Sequence, residues 1–246
     1  MNLIDKCRFL INACDEGKLG TTVMPEDSSP TFTDKQKEKR IAYFTLPMAL
    51  NYQRDSYKLW EAALKTWNDK ETRVVFDVKK AAALDTDVLR KYLGRYRLAL
   101  QPNKHTHSWQ SISKVVTEEW GSFEKMLSAL DYDFLKLKQT IQGTHKKRFP
   151  YLSGPKIFNY WSSILKRYAQ VELKNIEHIE LAVDTHILKC SIALEVITSE
   201  EALKLERLAI ADKWRKALNG SGIAPSEMHF ILWFWSRNGF LYTFDK

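Results

Sequence analysis

The chain predicts an all-α fold on three observations: apolar residues recur at helical intervals along most of its length, Thr and Asp stand where such runs begin, and only Arg73-Val74-Val75-Phe76 hints at a strand. Its 246 residues, 44% hydrophobic and 12% aromatic, can bury a substantial core as one large domain or two small lobes.

Residues 2–14 read as a first helix, and 17–34, with two Gly, two Pro and Ser28-Ser29, as a loop. From Lys35 to about Arg54, Ile41, Phe44, Met48 and Tyr52 fall on one face, with Pro47 expected to kink or split the helix. Tyr57, Trp60, Leu64 and Trp67 repeat the pattern over 56–68, ended by Asn68-Asp69. Arg73 to Phe76 reads as an extended loop, and Asp77 as the cap of an alanine-rich helix. Asp85-Thr86-Asp87 opens a helix to about Leu100, Gln101 to His107 reads as a polar loop, and helices follow near 108–120, 121–130 and 131–142. Thr198-Ser199-Glu200-Glu201 combines a hydroxyl cap with acids at the positive helix end, Asn219-Gly220 marks a stop, and Pro225-Ser226 opens a last helix to about Arg237. No internal repeat is present, and the total is roughly ten helices.

A net charge of +8 favours a polyanionic partner without proving one. No window reaches the ~18 apolar residues of a spanning helix, and Asp5 and Asn12 interrupt the amino end where a signal peptide would be apolar. The expectation is a cytoplasmic or nucleoid-associated protein with no membrane partner. Cys7, Cys14 and Cys190 are an odd number without zinc spacing and read as reduced thiols. His105-Thr106-His107 lacks a third metal ligand at a recognisable interval, so no metal is expected.

Two segments carry chemistry. In Phe149-Pro150-Tyr151-Leu152-Ser153-Gly154-Pro155-Lys156 a glycine turn delivers a lysine into a helix start, where main-chain N–H groups can face a phosphate. Lys146-Lys147-Arg148 just before it is either a solvated face or a contact to a nucleic-acid backbone. In Val183-Asp184-Thr185-His186, Asp184 can cap the helix that follows, and a carboxylate held there can also stabilise a developing cation.

The first segment, about 138–166, resembles a helix-hairpin-helix, and the second the Val-Asp-Thr-His element of the HhH-GPD DNA glycosylase superfamily. Downstream, Glu200-Glu201-Ala202-Leu203, Trp214, Gly222-Ile223-Ala224-Pro225 and Leu232-Trp233 through Ser236-Arg237 look like the archaeal 8-oxoguanine DNA glycosylases. That family shares the long interval between lysine and aspartate. The resemblance spans about 40–240 and is densest from 150 to 238.

The resemblance implies a single two-lobed HhH-GPD domain over residues 1–246, acting as a monomer on duplex DNA that holds a damaged base, most simply 8-oxoguanine. Lys156 would attack the sugar, Asp184 would support the charge, and the Schiff base would permit β-elimination without a cofactor. Ser153 and Gly154 would face a backbone phosphate together with Lys146, Lys147 and Arg148. Trp233 and Trp60 would hold the extruded base, each with core packing as its alternative. Two departures stand out: Leu152 replaces the earlier hairpin glycine, and His229 occupies the position of a base-contacting aspartate. A glycosylase without lyase activity, for another lesion, and a non-catalytic DNA-binding module both remain open.

Overall fold

The computed structural model describes residues 1–244, and these are all-α: 13 helices, 66% helical, with no strand. In chain order the helices are α1 (Leu3–Asp15), α2 (Lys37–Ala49), α3 (Ser56–Asn68), α4 (Val78–Ala83), α5 (Thr86–Arg95), α6 (Pro102–Glu119) and α7 (Phe123–Ala129). They continue as α8 (Phe134–Lys138), α9 (Pro155–Arg167), α10 (Thr185–Ala193), α11 (Ser199–Lys204), α12 (Arg207–Leu218) and α13 (Pro225–Arg237). No helix among the described residues is long and apolar enough to cross a membrane.

The chain divides into two compact units, one of residues 24–175 and one of 1–23 with 176–246. Both boundaries fall in segments of little helix, the loop 17–34 and the connection after α9.

In the unit of residues 24–175, α2 is buried from Arg40 to Leu50, so it carries no solvent stripe and serves as the central helix. Tyr43 and Phe44 on α2 meet Trp60 and Trp67 of α3 and Phe76, with ring centroids 5.2–6.0 Å apart. Thr45 joins α2 to α9: its hydroxyl donates to the Ile41 carbonyl at 2.7 Å and accepts from Trp161 Nε1 at 3.0 Å. Pro47 neither splits α2 nor moves its start; the helix simply ends two residues later, short of Arg54.

Three local expectations are corrected. Residues 72–76 form a 3₁₀ helix rather than an extended loop, held from outside by Trp109 Nε1 donating to the Val75 carbonyl at 2.8 Å. Gln101 to His107 is not a loop, because Pro102 opens α6 at the position where its missing N–H costs nothing, and His105 is buried with Nδ1 accepting from Leu100 N at 3.2 Å. The helix expected at 131–142 is the short α8 followed by a π-turn, Gln139–Thr144.

In the other unit α13 packs on α10 and α1. Cys190 Sγ donates to the Leu232 carbonyl at 3.0 Å, and Trp214 Nε1 to Ser191 Oγ at 2.8 Å. Thr198 and Glu201 exchange backbone and side-chain bonds at the start of α11, as their spacing predicts. Gly220, at φ +74°, reverses the chain after α12 in a conformation that a side chain would resist.

Candidate functional site

The hairpin before α9 is anchored by two fully buried side chains, Phe149 and Leu152. Its left-handed residue is Tyr151, at φ +59°, and not a glycine. Tyr151 is braced by the rings of Tyr52 and His105, with centroids at 5.3 and 6.1 Å, which helps a bulky residue hold a conformation costing about 1–2 kcal/mol. Gly154 has an ordinary negative φ, and its lack of a side chain serves close approach: a Cβ there would lie 3.1 Å from the Tyr151 carbonyl oxygen.

The turn uses its own N–H groups. Leu152 N donates to Pro150 O at 2.7 Å, Ser153 N to Phe149 O at 2.9 Å and Gly154 N to Tyr151 O at 2.9 Å. The expected phosphate donors Ser153 and Gly154 are thus engaged inside the hairpin. The next donors along are the N–H groups of Lys156 and Ile157 in the first turn of α9, a helix that starts without a side-chain cap and with Pro155 at its first position. Lys156 is exposed on that turn.

Of the neighbouring basic run, Lys146 and Lys147 are exposed, whereas Arg148 is ion-paired with both Glu118 and Glu119 at the end of α6. Ser111 Oγ also donates to the Arg148 carbonyl at 3.0 Å. Arg148 therefore ties the hairpin approach to α6, and the two lysines are the more accessible cations.

Asp184 is the N-cap of α10. One carboxylate oxygen, Oδ1, accepts from His186 N and Ile187 N, both at 2.9 Å, leaving Oδ2 outside these bonds. Beside it His186 Nδ1 lies 3.1 Å from Ser236 Oγ, and its ring meets Trp233 edge-on at 5.4 Å. Burial lowers the His186 pKa, with the Asp184 charge opposing that shift, so the ring is held toward its neutral form.

His229, Trp233, Ser236 and Arg237 follow the helical repeat along one stripe of α13. Trp233 is 9% exposed and His229 5% exposed, so both are buried. The Arg237 guanidinium lies 5.0 Å from the Trp233 ring centroid and covers it with a cation–π contact. The structure thus brings Asp184 and Trp233 together through His186 and Ser236, which lie two and three residues beyond them in sequence.

Trp60, in the other unit, is 1% exposed and packed among Tyr43 and Phe44. It borders a residue the sequence did not suggest, Glu26, also 1% exposed. Burial pushes the Glu26 carboxyl up to about 7, with the hydroxyl of Tyr160 and the Trp60 indole N–H pulling it back. Tyr160 donates to Glu26 Oε1 at 2.8 Å, while Oε2 and Trp60 Nε1 lack well-aligned partners. Tyr160 stands on α9 one turn beyond Lys156.

No model of a known protein family matches the chain, and neither a curated protein nor a solved structure matches it. Among the described residues no three His, Cys, Asp or Glu side chains are grouped to hold a metal ion.

Proposed function

We propose that this protein is a DNA glycosylase of the helix-hairpin-helix type with an associated lyase activity, acting as a monomer on duplex DNA that carries an oxidised guanine. The observation that carries the reading is the form of the α9 start: a tight, internally bonded hairpin delivers an exposed lysine on an uncapped helix turn. That arrangement offers a backbone phosphate its N–H donors and a sugar its amine.

In the proposed reaction Lys156 Nζ attacks C1′ of the deoxyribose as the N-glycosidic bond breaks, and the base departs with the bonding electrons and takes up a proton. Ring opening gives a Schiff base. Loss of a C2′ proton then expels the 3′ phosphate and cuts the strand. Asp184 supports the positive charge that develops at the sugar, and its Oδ2 is the oxygen not committed to capping. Trp233 supplies an aromatic face for the extruded base, exchanged for the Arg237 contact it makes in the free protein. His229 gives that pocket a group able to donate or accept, where a carboxylate could only accept.

The exposure of Lys156 favours one second reading, a glycosylase in which Asp184 directs water and no lyase step follows. Incubating the protein with an 8-oxoguanine duplex, measuring free base by mass spectrometry and running the strand before and after alkali decides among these. Free base with direct strand cleavage supports the proposal, free base with cleavage only after alkali supports the second reading, and no free base across a lesion panel rejects both.

A further inference from the structure

Within the unit of residues 24–175 a depression of 240 Å³ is bordered by Lys39 of α2, Trp67, Lys70, Arg73, Asp77 and Lys80. Four cations face one carboxylate. Asp77 is already occupied, capping α4 through Lys80 N at 3.1 Å and lying 3.9 Å from Lys80 Nζ. The acids flanking Lys70 in sequence, Asp69 and Glu71, are both drawn to Arg95, at 2.8 and 2.7 Å. Among the described residues Lys39, Lys70 and Arg73 have no ion-pair partner.

Arg73 is also fixed in place. Its Nε donates to the Trp67 carbonyl, its Nη2 to Asn68 O at 3.4 Å, and its guanidinium lies 5.4 Å from the Trp67 ring centroid. A cation held this way meets an anion with less ordering cost than a free lysine would. A second, larger depression of 530 Å³ makes the contrast: there Lys65 pairs with Glu61 at 2.6 Å and Arg54 donates to the carbonyls of Leu98 and Arg97. Two carboxylates, Asp55 and Glu61, border that larger depression, against Asp77 alone at the smaller one.

The shape of the smaller depression also limits its ligand. Trp67 is 8% exposed, with Arg73 near its ring and Phe32, Tyr43 and Phe76 meeting it edge-on at 5.2–5.6 Å. No open aromatic face is left for a nucleobase, and what remains is a cup of positive charge suited to phosphate oxygens.

We infer that Lys39, Lys70, Arg73 and Lys80 form a second phosphate-contact site, for the phosphodiester backbone of duplex DNA, apart from the hairpin. This rests on the DNA-acting function proposed above. Bound there, the duplex is contacted through its backbone alone, so the site adds affinity without reading sequence or lesion.

The test is lysine acetylation footprinting by mass spectrometry on the full protein, with an undamaged duplex, with inorganic pyrophosphate and with neither. Duplex binding is followed in parallel by anisotropy, and base release is assayed on the same preparation. Expected is severalfold protection of Lys39, Lys70 and Lys80 by duplex. A Lys39→Gln, Lys70→Gln, Lys80→Gln variant with an unchanged melting temperature should lower the slope of log affinity against log salt by about two, while base release at saturating DNA stays within about twofold. Unprotected lysines in a complex that anisotropy shows to be formed overturn the site, and so does protection by pyrophosphate alone, which would make it a small-phosphate pocket. Protection by duplex without base release leaves this site standing and removes the glycosylase reading instead.

Discussion

The starts of α9 and α10 meet the same electrostatic requirement in opposite ways. At α10 the chain supplies its own anion, because Asp184 accepts from two first-turn N–H groups at 2.9 Å. At α9 it supplies none: Gly154 has no side chain, Pro155 removes one donor, and the first turn carries the cation Lys156. The positive end of α10 is satisfied from within, whereas that of α9 has no side-chain cap. One start holds a carboxylate in place, and the other, under the proposed function, would receive a phosphate beside an amine.

The largest expected effect breaks the α9 side. Lys156→Gln should lower strand cleavage by at least about a thousandfold while leaving binding of lesion-bearing duplex within about tenfold, measured by single-turnover kinetics and anisotropy. Cleavage at a near-normal rate would make Lys156 a surface lysine and α9 an ordinary helix start.

On the α10 side, Asp184→Asn retains an oxygen for capping but loses the charge. Single-turnover base release should fall by about a hundredfold, with stability changed by less than about 1 kcal/mol. A variant that loses stability and keeps its rate would reduce Asp184 to a cap.

How much of this contrast the sequence revealed depends on how local each signal was. Asp184, Thr198 with Glu201, and Pro225 specify their helix starts from within the first turn, and the structure places α10, α11 and α13 where those residues put them. Arg148 looked like one of three equivalent cations because the acids that claim it, Glu118 and Glu119, are about 30 residues upstream. Tyr151 gave no sign of its left-handed backbone, since only Gly, Asn or Asp would mark such a position locally. Glu26 was invisible for the same reason: in Pro25-Glu26-Asp27 it reads as a solvated acid, and its partner Tyr160 is 134 residues away.

Glu26 also supplies a pH test of how α9 is held. Its carboxyl is raised from 4.5 to about 7, so the folded state binds a proton that the unfolded state releases. The resulting stability is fully present below about pH 4.5 and is lost as pH rises through about 7, a change on the order of 3 kcal/mol. Glu26→Gln, which cannot ionise, should flatten that dependence in urea denaturation at pH 5, 6, 7 and 8. An unchanged profile would assign the titration to another group.

The smallest effect separates the two tryptophans that the resemblance places at the base pocket. Trp233→Ala should weaken lesion binding by about 1–3 kcal/mol and spare undamaged duplex. Trp60, enclosed by Tyr43 and Phe44, should instead show its loss mainly in the melting temperature. Equal losses of lesion and undamaged binding in Trp233→Ala would make that residue core as well.

The claim that α9 presents a nucleophile is tested most directly by borohydride reduction of the wild-type protein with an 8-oxoguanine duplex, followed by peptide mapping of any covalent adduct. The expected result is a trapped complex whose modified peptide contains Lys156 and whose formation requires the lesion. An adduct mapped to another amine, or no adduct while free base and a cut strand accumulate, would contradict it.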